Sequence, residues 1–81
     1  MRISVSFYSY FKDLTGCEEM TVELSDGGTI ADLVAAVEER HPRMTAMRKS
    51  TLIAVGVEYQ DGSYRLAEGD EVAFFPPVQG G

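Results

Sequence analysis

Only one segment of this chain carries a sustained helical pattern, and that segment has a single apolar face. Ile30, Leu33, Val34 and Val37 stand at helical spacing, with small and charged residues between them. Thr29 is placed to cap the start, and Asp32 three residues on completes a capping box with the shorter acid. Pro42 closes the pattern, which predicts a helix from about Ile30 to Arg40. One helix with one apolar stripe can cover one face of a sheet and no more. The remaining apolar residues must therefore supply that sheet.

They alternate as strands do. Arg2 to Ser9 alternates strictly, with Ile3, Val5 and Phe7 on one face. Phe11 to Thr15 reads as a short helical turn closed by Gly16, and Glu19 to Leu24 as a second strand with Met20, Val22 and Leu24 inward. Ser25-Asp26-Gly27-Gly28 is turn chemistry. Beyond the helix, Met44 to Arg48 forms a further short turn, and Thr51 to Val55 is a strand apolar enough for burial on both faces. Val57-Glu58-Tyr59 and Ser63-Tyr64-Arg65 flank Gln60-Asp61-Gly62, the pattern of a small hairpin. After the turn Ala67 to Asp70, Glu71 to Phe75 is the last strand, with Val72 and Phe74 inward.

This order is strand, strand, helix, strand, small hairpin, strand. It predicts an α+β ubiquitin-like β-grasp fold, a mostly antiparallel sheet with one main helix packed across it. The first two strands pair, and the last returns beside the first. The expected domain is 1–75, followed by an extended tail, 76–81.

At 81 residues there is material for one domain with a modest core, and no apolar run long enough to span a membrane. No secretory leader pattern opens the chain, so a cytoplasmic location is expected. Cys17 is the sole cysteine and has no partner within the chain. His41, the sole histidine, stands at the end of the helix without a neighbour at metal-ligand spacing, so it reads as structural. The net charge is −6, and the seven cations are scattered apart from a loose group of Arg40, Arg43, Arg48 and Lys49. That balance argues against a nucleic-acid partner.

The tail is where chemistry is expected. Pro76-Pro77 fixes an extended path directly after the last strand, and Val78-Gln79-Gly80-Gly81 follows. Six residues can reach about 20 Å when extended. Two glycines without side chains let a backbone slide through a narrow channel, so that the Gly81 carboxylate can be activated as an anhydride with AMP. A docking surface is expected beside it. If Val5, Phe7, Val72 and Phe74 face the core, then Tyr8 and Phe75 face out on neighbouring strands, and Tyr59 can join them.

These residues resemble the small subunit of molybdopterin synthase, a ubiquitin-like sulfur carrier. The resemblance covers the whole chain. It is strongest from Leu66 to Gly81, where the Gly69-Asp70-Glu71-Val72 turn and strand, Phe74-Phe75-Pro76-Pro77-Val78 and the Gly80-Gly81 terminus match the family's signature. Phe11-Lys12-Asp13-Leu14-Thr15-Gly16 also fits, with Lys12-Asp13 where Arg-Glu is more usual, and Gly56 stands where the family commonly has Asn. The resemblance implies that an E1-like adenylyltransferase activates Gly81 with ATP. A desulfurase or rhodanese then supplies sulfur, leaving a covalent thiocarboxylate at Gly81 and no bound cofactor or metal. Gly80 lets the tail pass into the large catalytic subunit of a heterotetrameric synthase. There the sulfur goes to cyclic pyranopterin monophosphate to form the molybdopterin dithiolene. The small subunit is no enzyme by itself, and Tyr8, Tyr59, Phe75, Pro76, Pro77 and Val78 are its partner-binding residues.

Other uses of the same terminus stay open at this level: sulfur delivery to thiamin, to a tRNA base or to cysteine, attachment to lysines as a protein modifier, and a plain interaction module with an inert tail.

Overall fold

The alternation in the first strand sets the layout. The structure, a computed structural model, describes residues 1–77. Strand β1 (Arg2–Phe7) buries Ile3, Val5 and Phe7 and turns Arg2 and Ser4 outward. Helix α1 (Phe11–Thr15) follows and ends on Gly16, whose φ of 75° is the left-handed cap. Then come β2 (Glu19–Glu23), α2 (Ile30–Arg40), a run of 3₁₀ turns (Pro42–Ser50), β3 (Leu52–Val55), β4 (Glu58–Tyr59) and β5 (Glu71–Phe75).

The strands form one sheet in the order β2-β1-β5-β3-β4. The pairs β1–β2, β3–β5 and β3–β4 are antiparallel, and β1–β5 in the centre is parallel. The register aligns the inward residues across four strands. Ile3 faces Val22, Val5 lies between Met20 and Val72, and Phe74 lies between Phe7 and Ile53. Helix α2 covers this face with Ile30, Leu33 and Val37, each fully buried. Phe11, Met44 and Leu66 close the core at its margins.

The α2 start is as its sequence demands. The Thr29 hydroxyl accepts from the Asp32 N–H, and the Asp32 carboxylate accepts from the Thr29 N–H at 2.9 Å. The next two donors of the helix go to backbone carbonyls: Ile30 to Tyr64 and Ala31 to Gly62, both at 3.0 Å. Those carbonyls satisfy N–H groups that a helix terminus otherwise leaves unpaired.

This use of the 62–66 segment corrects the expected hairpin. Ser63-Tyr64-Arg65 does not pair with Val57-Glu58-Tyr59; Arg65 bridges Thr29 instead. Glu58 and Tyr59 pair with Val55 and Ala54 of β3. The two-residue loop between β3 and β4 is Gly56-Val57, and Gly56 has φ 61°. Glycine first in such a loop is what a tight hairpin of this hand requires, and Asn is the other residue that tolerates the left-handed region. Asp61-Gly62 still makes a turn, since the Asp61 carboxylate accepts from both the N–H and the hydroxyl of Ser63. Those two bonds, the hydroxyl's first, hold the Asp61 carboxyl below the usual carboxylate range.

Two boundaries also moved. The first strand stops at Phe7 because Ser9 takes φ 58° and turns the chain into α1. The turn expected over Met44–Arg48 extends from Pro42 to Ser50. The 3₁₀ run is anchored by buried Met44 and by the Thr51 hydroxyl donating to the Met47 carbonyl.

Candidate functional site

The face of the sheet away from α2 has no covering layer among the described residues, and its residues are the other half of each alternation. On the central strands these are Ser4 and Ser6 of β1, Glu71, Ala73 and Phe75 of β5, and Leu52 and Ala54 of β3. At the C-terminal end of β5 they turn aromatic. Tyr8 donates its backbone N–H to the Phe74 carbonyl at 3.2 Å, which carries the parallel ladder one step past β1. That step sets the Tyr8 ring against Phe75, with centroids 4.7 Å apart and planes 12° from parallel. Tyr59, paired with Ala54 on β4, reaches the other side of Phe75 edge-on at 6.4 Å and 77°. Tyr59 pairs with Ala54, and Ala54 with Ala73, two small side chains on the same face.

The three aromatic residues named from alternation therefore form one cluster. Tyr8 is 46% exposed and Tyr59 64%, while Phe75 is half-buried between them. Leu52 lies directly opposite Phe75 and joins the apolar floor. Leu52, expected on a strand buried on both faces, is instead half-buried on the open one. Its period-two relation to Ala54 was the signal that it shares the open face.

The same strand delivers the tail. Gly69, at φ 83°, makes the turn before β5. The Asp70 carboxylate accepts from the Ala67 N–H at 2.8 Å, and the Asp70 carbonyl from the Ser4 N–H at 3.1 Å. The Gly69 N–H donates to the Arg2 carbonyl, and the Arg2 N–H to the Glu68 carboxylate. The Leu66–Asp70 turn is thus stitched to the start of β1, which fixes where β5 begins and so where it ends. It ends at Phe75, followed by half-buried Pro76 and exposed Pro77. Val78, Gly80 and Gly81, the other residues expected to act, lie outside the described residues.

The charged interior group lies on the covered side. Glu38 falls on the stripe of α2 and is 9% exposed. Both its oxygens are held by the Arg48 guanidinium, with Arg48 Nε to Glu38 Oε2 at 2.9 Å, and the Thr45 hydroxyl donates to Oε1. Hydrogen bonding by Arg48 is the main cause that keeps the Glu38 carboxyl below its ordinary range, and burial opposes it. This pair ties the 3₁₀ run to α2. The pair is not among the residues expected to matter; its one sequence signal is that Glu38 stands four residues after Val34 on the apolar stripe. Cys17 is half-buried with its thiol beside the Thr15 hydroxyl, and His41 sets its ring edge-on to Phe7. Among the described residues no three His, Cys, Asp or Glu side chains converge on a metal-sized space.

A β-grasp domain with an aromatic cluster at the end of its terminal strand is the class of protein these observations define. The chain belongs to the ThiS family, whose model matches residues 5–81. It is 37% identical over 84 residues to the molybdopterin synthase sulfur carrier subunit of Chlamydomonas reinhardtii, covering all of both chains. Among solved structures it is similar to a chain from Pyrococcus furiosus described as a candidate molybdopterin converting factor subunit 1. That match has a TM-score of 0.89 and 28% identity, covering 96% of this chain and 99% of that one. The fold alone is shared with small archaeal modifier protein 1 of Haloferax volcanii, at a TM-score of 0.91 and 21% identity over the whole of both chains. It is shared too with the complex of subunits 1 and 2 of the molybdopterin-converting factor of Helicobacter pylori, at a TM-score of 0.73 and 23% identity, again over all of both chains.

Proposed function

We propose that this chain is the sulfur-carrier subunit of a molybdopterin synthase. The observation that carries the reading is the Tyr8–Phe75–Tyr59 cluster beside the root of the tail, in a chain whose full-length relative is such a subunit. The Gly81 carboxylate attacks the α-phosphate of ATP on an E1-like activating enzyme and expels pyrophosphate. The terminal sulfur of a persulfide on a desulfurase or rhodanese displaces AMP, and a thiol then reduces the resulting acyl disulfide, leaving the thiocarboxylate and a disulfide. The tail, 76–81, then enters the large subunit of the synthase, with Gly80 at the narrowest point. There the sulfur is transferred to cyclic pyranopterin monophosphate, and the acid and base groups for that transfer belong to the large subunit.

The physical division of labour supports this. A thiocarboxylate is a good nucleophile that must be kept from water, and a tether delivers it at high effective concentration. A rigid sheet with an apolar patch at the tether's root fixes where the tail begins, and Pro76, Pro77 and Val78 are its contacts with the partner.

The test is an intact mass of the chain after incubation with ATP, the activating enzyme of the molybdopterin pathway and a sulfur donor. Replacement of one oxygen by sulfur is expected, and a chain lacking Gly81 should melt at the same temperature and take up none. No sulfur on the full chain with this enzyme, but uptake with the activator of thiamin or tRNA thiolation, would reassign the carrier to that pathway.

A further inference from the structure

The cations of this chain are not spread as its composition suggests. Arg40, Arg43, Arg48 and Lys49 lie within residues 40–57, which hold none of the thirteen acids. That stretch carries +4, and the rest of the chain −10. The fold places it at one end of the sheet. His41 packs on Phe7, the last residue of β1, at 6.2 Å, and the Tyr10 hydroxyl reaches the Met47 sulfur at 3.6 Å. Lys49 stands three residues before Leu52, which pairs with Phe75. It is thus within about 11 Å of Leu52, and a cross-strand step of about 5 Å further leads to Phe75, the last residue of β5. The basic segment therefore flanks the end of the molecule from which the tail departs.

Two of its cations are spoken for: Arg48 holds Glu38, and Arg40 donates to the Thr21 carbonyl at 3.4 Å. Arg43 and Lys49 are exposed and have no carboxylate within ion-pair distance among the described residues. Arg2 and Lys12, by contrast, each sit within 4.0 Å of a glutamate.

We infer that Arg43 and Lys49 form a second contact surface, which meets acidic side chains around the channel that receives the tail. The occupant is a protein surface and not a nucleic acid, because a chain of net charge −6 with two unpaired cations at this end repels a polyanion. The role is orientation. An acidic domain with one basic pole turns that pole toward an acidic rim before the apolar patch touches, which speeds productive encounter and leaves the docked complex little changed. This inference rests on the proposed delivery of the tail to the large subunit.

The test is stopped-flow association of the full chain with the large subunit, at several salt concentrations. The double variant Arg43→Glu/Lys49→Glu should associate about tenfold more slowly than wild type at low salt, with a weaker or reversed salt dependence and a dissociation rate within about threefold. Arg65→Glu, a charge reversal beside the opposite end of α2, serves as control and should stay close to wild type. Arg43→Lys should retain the wild-type rate, since charge and not fork geometry is invoked. Melting temperatures of all variants check that these exposed substitutions leave the fold intact. If wild type binds and the double variant associates no more slowly than Arg65→Glu, the inference is overturned and the carrier reading stands. If wild type does not bind the large subunit, both fall.

Discussion

The two faces of the sheet are built from the same strands, yet they obey different rules. On the covered face every inward position from β2 to β3 is apolar, and α2 seals it with Ile30, Leu33 and Val37. On the open face the apolar character is local. Ser4 with Thr21 and Glu71, and Ser6 with Glu19, are polar, while Phe75, Tyr8, Leu52 and Tyr59 gather at one end. Burial explains the first face completely. It does not explain the second, because an aromatic cluster half in water contributes less to the fold than it would inside. What collects at the tail end of the open face is the surface we propose for a partner.

The sharpest way to break this comparison is to truncate adjacent residues of β5. Phe74→Ala on the covered face removes a ring that touches Phe7 at 5.7 Å and should cost about 3–5 kcal/mol. Such a loss can unfold a domain of this size, and urea denaturation would read it. Phe75→Ala, one residue on, should instead weaken binding to the large subunit by about thirtyfold or more, the scale of a hot-spot aromatic. Its cost to the fold should stay below that of Phe74→Ala. Titration calorimetry beside the denaturation curves checks both, and equal stability losses with unchanged affinity would make the two faces alike.

A smaller effect comes from Glu38, where the covered face takes in a charge. Its folded pKa is depressed, so the pair with Arg48 contributes stability above the ordinary glutamate value of about 4.3 and loses it as pH falls through the folded value. Glu38→Gln should therefore be less stable than wild type at pH 7, with the gap closing below about pH 4. Denaturant midpoints between pH 3 and 7 would show it; a constant gap would mean that the carboxylate's charge is not what holds the 3₁₀ run. The smallest effect is expected at Ser9, whose φ of 58° turns the chain after Tyr8. Ser9→Gly relieves that backbone but frees the unfolded chain, so stability should move by no more than about 1 kcal/mol. Binding should change little if Tyr8 is held by its stack on Phe75.

Much of this layout can be read without coordinates. Period-two alternation named the inward residues of β1, β2 and β5, because a pleated strand gives each side chain only two directions. The same arithmetic put Tyr8 and Phe75 outward. The β4 pairing was misread because Gln60-Asp61-Gly62 is as good a turn signal as Gly56-Val57. The choice between them depends on where the 62–66 carbonyls are needed, at the start of α2. The Glu38–Arg48 pair joins residues ten apart across a helix end, beyond the reach of local pattern.

The sequence by itself determined the α+β elements, the capped helix and the outward aromatic residues, since these follow from local periodicity and capping chemistry. Only the tertiary structure decided that β1 and β5 run parallel with Phe75 between Tyr8 and Tyr59, and that the cations of residues 40–49 stand toward the end of the sheet where β5 stops. Both depend on register and packing between segments far apart in the chain, where the energy lies in contacts that no single stretch of sequence contains.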